Sequence, residues 1–206
     1  MLKILGRNNS VNVQKVLWCC DEVGAAFERE DFGGAFGRNN TPEYKSMNPT
    51  GLVPTLVDGK TILWESNTIV RYLAAKYSAG NLWPTDAAAR ATADKWMDFQ
   101  VTSLVNALTP VFWGLIRTKP EDRNWDTINA ARDKFSGYLA MVDHALGHAP
   151  YLGGQNFTMG DIPVGVMTFR WYALDIKRED YKNLKTWYDR ISARPAFKKH
   201  MLLPLT

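Results

Sequence analysis

Cysteine is scarce in this 206-residue chain: there are two, Cys19 and Cys20, side by side. Sequence neighbours are poorly placed to bridge each other, so neither a disulfide framework nor a metal site of several thiolates is indicated, and a reduced compartment fits. Long apolar runs are missing too. No uninterrupted apolar stretch reaches the ~20 residues a membrane-spanning helix needs, and the apolar part of Met1-Leu2-Lys3-Ile4-Leu5-Gly6 is too short for a signal peptide. The expected address is the cytoplasm, with no membrane partner. Charge of one sign hardly accumulates: 25 Lys and Arg face 21 Asp and Glu, a net charge of +4. The basic run from Lys177 to Lys199 is broken by Glu179, Asp180 and Asp189 and reads as a solvated helix surface, so nucleic acid is not an expected partner. Internal repeats and low-complexity tracts are absent. What the chain does have is a core-forming composition, 46% hydrophobic and 12% aromatic, which excludes intrinsic disorder.

The two halves follow different grammars. Up to about Tyr77, short strand-like and helix-like segments alternate between glycine- and proline-bearing turns. Leu2-Lys3-Ile4-Leu5 reads as a strand, and residues 12–23 as a helix with Val13, Val16, Leu17, Cys20 and Val23 at three-to-four spacing and Gly24 as its stop. A second strand is expected over residues 26–32, a polar loop over 33–48, a hairpin around Asp58-Gly59, and a helix over 66–77. Breaker-rich residues follow, and everything beyond reads as helix: 86–117, bent at Pro110, then 121–147, 158–174, 183–192 and 195–200. The expected domains are therefore an α/β domain at 1–78, a linker at 79–85 and an all-α domain at 86–206. The element order of the first is thioredoxin-like.

Three segments suggest chemistry. In Val53-Pro54-Thr55-Leu56 a proline opens a strand. The preceding Asn48-Pro49-Thr50-Gly51 turn and the following hairpin favour a cis bond there, leaving the Val53 N–H and C=O free to pair with an extended ligand. Glu65-Ser66-Asn67 lies at a helix start, where Ser66 can cap the helix and hold a carboxylate. The loop Arg7-Asn8-Asn9-Ser10-Val11-Asn12 follows the first strand, where open α/β sheets bind ligands. A donor from Ser10 or Asn12 there can stabilise a ligand thiolate; the plainer role for either residue is the helix cap. Cys19 and Cys20 read as small packing residues.

Taken together, these segments resemble the glutathione S-transferase superfamily, over nearly the whole chain. Residues Asn48 to Leu56 look like the family's N-P-x-x-x-V-P-x-L segment, and Glu65-Ser66 like its glutathione-binding pair. Thr158-Met159-Gly160-Asp161-Ile162 looks like its capping box, in which Thr158 caps the Asp161 N–H while Asp161 reaches back. The nearest resemblance is to theta-like and zeta-like members and their bacterial relatives, which place a catalytic serine where Ser10 falls; beta-class members have a cysteine where Asn12 falls. The first loop has no tyrosine, a Cys-x-x-Cys is absent, and Asn39 stands where several relatives have a histidine that contacts the glycine carboxylate of glutathione.

The resemblance implies a thioredoxin-like domain followed by a helical domain, with glutathione as co-substrate and no metal. Val53 would pair with the cysteinyl backbone, with Pro54 beside it in the glutathione site, Ser66 would hold the γ-glutamyl carboxylate and Glu65 the ammonium, with Asn39 near the glycine end. Ser10, or Asn12, would hold the sulfur as thiolate for attack on an apolar electrophile. The electrophile site would lie between the domains, with Phe112, Trp113, Arg117, Arg170 and Trp171 as contributors. A homodimer is implied, with Gln100 reaching the neighbour's glutathione. Glutathione-dependent peroxide or disulfide reduction, isomerisation, dehalogenation and a non-catalytic binding module are the competing readings.

Overall fold

The structure is a computed structural model and describes residues 1–205. The first of two compact units comprises Met1–Trp83. Its elements are β1 (Leu2–Leu5), α1 (Val11–Glu22), β2 (Phe27–Glu30), a 3₁₀ turn (Gly34–Phe36), α2 (Pro42–Met47), β3 (Thr55–Asp58), β4 (Thr61–Leu63) and α3 (Ser66–Tyr77). The strand order is β2-β1-β3-β4. β1 runs parallel to β2, with Leu5 opposite Glu30, and antiparallel to β3, with Leu5 opposite Thr55. This is the thioredoxin-like arrangement. Residues 33–48, expected as loop, contain α2, which six residues suffice to make because Thr41 accepts the Tyr44 N–H and Pro42 fills the first turn.

The second unit, Pro84–Arg194, is helical. It contains α4 (Ala87–Phe99), a π-helical turn (Gln100–Leu104), α5 (Val105–Phe112), a second π-helical turn (Trp113–Arg117), α6 (Trp125–Leu146), α7 (Asp161–Ala173) and α8 (Lys182–Ser192). The irregularities of the long first helix thus fall on both sides of Pro110, which sits inside α5. The continuous helix Ala87–Arg117 is long and apolar enough to cross a membrane by length and composition alone. Core helices pass the same test, and Leu104, Leu108, Val111 and Phe112 of this one are buried.

The last helix, α9 (Pro195–Met201), belongs to the first unit, with residues through Leu203. Within the 86–206 span expected to be helical, Pro195–Leu203 are thus grouped with the first unit. α9 lies on α1, where Phe197 meets Trp18 edge-on at 5.1 Å and the Gln14 amide donates to the His200 carbonyl at 3.1 Å. With α3 packed against it as well, α1 has eight consecutive buried residues, Val13 through Cys20. An isolated amphipathic helix would bury only one stripe.

Candidate functional site

The first loop leaves β1 through Gly6, whose N–H donates to Glu30 O at 2.8 Å. A Cβ on Gly6 would come within 2.5 Å of a Val13 methyl and 3.3 Å of Val53 Cβ, so glycine is needed for the loop to pass between them. Ser10 occupies the N-cap position of α1 in extended conformation and is 7% exposed. Its carbonyl accepts the Gln14 N–H at 2.9 Å, but its hydroxyl does not cap the helix. Asn12, one residue into α1, accepts a hydrogen bond from the Ser66 hydroxyl at 3.3 Å. Two of the sequence-predicted segments therefore meet directly.

Ser66 is the first residue of α3, while Glu65 takes the N-cap position and makes no side-chain cap bond, which corrects the expected cap. Glu65 is exposed and has φ of 67°, a left-handed conformation unusual for a non-glycine residue. Such backbone costs on the order of 1–3 kcal/mol and clusters at functional sites. Ser66 and Asn67 behind it are buried.

The Val53–Pro54 bond is cis. Among the described residues, no backbone group pairs with the Val53 N–H or C=O. A network that the sequence did not single out holds this segment. Asn48, 1% exposed, donates to Leu52 O at 2.8 Å and Thr55 Oγ1 at 3.1 Å, and accepts from Thr50. Tyr44 donates to Leu52 O at 2.6 Å and accepts from Thr55 at 2.8 Å. The asparagine of the Asn48-Pro49-Thr50-Gly51 turn was the available signal. Asn39 donates to Gly51 O at 2.6 Å, so part of its amide is committed to the same turn.

Behind the site, α1 and α3 share a polar seam. After Asn12 with Ser66, Lys15 Nζ donates to Asn67 Oδ1 at 2.9 Å and the Cys19 thiol approaches Val70 O at 3.8 Å. Burial pulls the Lys15 amine down to about 7, against the nearby Glu65 carboxylate, which favours its charged form. The same burial pushes the Cys19 thiol well up and that of Cys20 up to about 12, which suits packing residues. Sequence reading missed Lys15. Its only signal was a lysine inside the helix's apolar run, which a periodicity count assigns to a solvent-facing stripe.

In the second unit, the Arg170 guanidinium lies 4.2 Å above the Phe112 ring, and Arg117 lies 5.0 Å from the Trp113 ring and 5.6 Å from Phe112. Trp113 is 54% exposed and Arg117 is exposed. Trp171 is core, 1% exposed with Phe135 at 5.1 Å, and Phe112 is 2% exposed, so these two aromatics are removed from the expected electrophile set. Gln100 is 0% exposed in the π-helical turn, which corrects its expected reach to a neighbouring subunit.

The expected capping box takes a different form. The Asp161 N–H bonds the Thr158 carbonyl, and the Asp161 carboxylate accepts from both the N–H and the hydroxyl of Thr158. Its other oxygen accepts from Leu152 N–H and Trp187 Nε1, each at 2.9 Å. Burial pushes this carboxyl up to about 6 against those four donors. Gly160 brings the start of α7 against α4, where a Cβ would lie 2.4 Å from Ala93 O.

Residues 2–75 match the family model for the glutathione S-transferase N-terminal domain, and residues 126–190 that for the C-terminal domain. The chain is 38% identical over 208 residues to glutathione S-transferase GstB of Escherichia coli (strain K12), covering 100% of both. It is 28% identical over 207 residues to a probable glutathione S-transferase GSTF1 of Oryza sativa subsp. japonica, covering 96% of this chain and 94% of that one. Among solved structures, the theta class glutathione S-transferase from Xanthomonas axonopodis pv. citri with glutathione bound matches with a TM-score of 0.96 at 44% identity, over 100% of this chain and 99% of that one.

Proposed function

The chain belongs to the glutathione S-transferase family, and from that premise we propose that it conjugates reduced glutathione to an apolar electrophile, with Ser10 as the donor to the sulfur. The observation that carries the assignment is the Ser10 hydroxyl, which stands at the start of α1 and does not cap it. Asn12 is the competing donor: its side-chain oxygen accepts from Ser66, and its amide nitrogen is the group that could donate to the sulfur from one residue inside α1. Glutathione extends along the first unit. The unpaired Val53 backbone, ahead of Pro54, takes the cysteinyl peptide, and Asn39 stands toward the glycine end. The first N–H groups of α3 take the γ-glutamyl carboxylate, with the Ser66 hydroxyl turning to it from Asn12, and Glu65 takes the ammonium.

One hydrogen bond to the sulfur favours the thiolate by roughly 1.5–3 kcal/mol, enough to lower its pKa by about one to two units. The thiolate then forms a C–S bond to the electrophile, whose leaving group departs with the electron pair of the broken bond, and the enzyme itself is not covalently modified. Trp113, Arg117 and Arg170 are the residues of the second unit assigned to the electrophile. The protein is taken to act in the cytoplasm as a homodimer, and sedimentation as a monomer at micromolar concentration would refute the dimer. The function is tested by the ultraviolet thiolate absorbance of glutathione across pH, with and without excess protein. Thiolate growing in at a pH well below that of the free peptide is expected; an unshifted titration refutes the reading.

A further inference from the structure

We infer that Arg29 is a positioning residue for the sulfur donor: by holding the Gly6–Arg7 peptide plane it sets where Ser10 stands. The inference rests on the reading of Ser10 above and adds a residue that this reading does not use. Arg29 lies on β2, opposite Ile4 of β1. Its Nη1 donates to the Gly6 carbonyl at 2.9 Å and to Asp31 Oδ1 at 2.5 Å, and its Nη2 donates to Asp31 Oδ2 at 3.3 Å. Asp31 thus grips both terminal nitrogens of the guanidinium fork while one of them reaches the loop.

The bond to Gly6 falls where the sheet gives out. Up to Leu5, β1 pairs with β2 on one side and β3 on the other. Gly6 still donates its N–H to Glu30 O at 2.8 Å, but its carbonyl lies past the last strand pair and is taken by the Arg29 side chain. The next N–H, that of Arg7, donates to Phe32 O at 3.1 Å. The peptide plane between Gly6 and Arg7 is therefore held by its oxygen and by its nitrogen. The Arg7 carbonyl then accepts the Ser10 N–H at 3.2 Å, which closes the turn 7–10 and brings Ser10 to the start of α1. Any rotation of that plane carries over to Ser10 through this single turn.

The plane needs such a brace. Position 6 admits only glycine between Val13 and Val53, and glycine resists backbone rotation less than any other residue. Asn8 and Arg29 both line a cavity of about 530 Å³ between α1, β2 and α9, so without the guanidinium the Gly6 carbonyl has space to turn. The ion pair itself adds little to folding, because the Arg29 and Asp31 side chains are 24% and 35% exposed. Its contribution is orientation. Lysine at this position would keep the charge but replace the planar fork with a point cation.

The test measures kcat with an activated aryl halide, KM for glutathione, and the pKa of the bound thiol from its ultraviolet thiolate absorbance, in Arg29→Met, Ser10→Ala and the double variant of the full chain. Arg29→Met should lower kcat about 10-fold and raise the bound-thiol pKa by about one unit, with KM changed less than about twofold. In the Ser10→Ala background the same substitution should change kcat less than about twofold, because the donor it positions is gone. Arg29→Lys should recover part of the loss. A wild-type thiol pKa in Arg29→Met, or an equal loss of kcat in both backgrounds, overturns the inference. If Arg29→Met does not fold, Arg29→Lys and Asp31→Asn decide by the same comparison with and without Ser10. Ser10→Ala that keeps the wild-type kcat and thiol pKa overturns the underlying reading of Ser10 instead.

Discussion

Ser10 and Asn12 lie two residues apart and are used differently. The Asn12 side chain joins α1 to α3 through Ser66, whereas the Ser10 hydroxyl is left out of helix capping. Ser10→Ala should lower kcat at least ~10-fold, about 1.4 kcal/mol of transition-state stabilisation, with KM for glutathione changed less than about twofold. Asn12→Ala should act mainly on KM by releasing Ser66. Steady-state kinetics with an activated aryl halide checks both, and exchanged patterns would assign the sulfur to Asn12. Lys15 makes a prediction about stability. Its folded-state value of about 7 lies below the ordinary 10.5, so between these values the unfolded chain holds more protons and stability rises with pH. Urea midpoints should therefore climb from pH 7 to about pH 8.5 in the wild type, below the range in which the raised Cys19 and Cys20 thiols oppose the slope. Lys15→Met should flatten that climb and be more stable at pH 7, by on the order of a few kcal/mol.

At the scale of elements, the start of α7 shows how a motif can be read correctly and built differently. The sequence pattern Thr158-x-x-Asp161 satisfies a capping box, but the Asp161 N–H already bonds the Thr158 carbonyl, so the Thr158 hydroxyl donates to the carboxylate instead. Asp161 then ties the 150s loop, α7 and α8 together through Leu152, Thr158 and Trp187. Asp161→Ala leaves these buried donors without their acceptor and should cost at least ~3 kcal/mol, while Thr158→Val removes one donor and should cost about 1 kcal/mol. Calorimetric unfolding distinguishes the two. Equal losses would show that the carboxylate is not the hub.

At the scale of the whole molecule, the C-terminal helix belongs to the unit that begins the chain. It covers α1 with Phe197 and His200, and Asp21 at the other end of α1 is held ionised by Lys199 and His200, whose hydrogen bonds outweigh the effect of burial. A chain ending at Arg194 should expose Trp18 and loosen α1, which carries Ser10 at its start. We expect faster proteolysis within residues 1–83 and weaker glutathione binding. Phe197→Ala is the milder version, with a loss of about 3–5 kcal/mol in urea unfolding. Wild-type resistance in both variants would refute the bracing role of α9.

Much of this was legible in local sequence. The strands, the hairpin at Asp58-Gly59, the helix over Ser66–Tyr77, the cis proline and the change from mixed to helical grammar follow from short-range periodicity and turn chemistry. The α2 helix escaped because a six-residue helix has too few turns for a period to register. Other features depended on what lies opposite each face. Nothing local distinguishes a solvent-facing lysine from Lys15, and nothing local says that Gln100 and Trp171 point into the core. The sequence by itself determined which elements form and which segments carry donors. Only the tertiary structure decided which of those donors are already spent, because α3 and α9 bury α1 on faces that helical periodicity leaves to water.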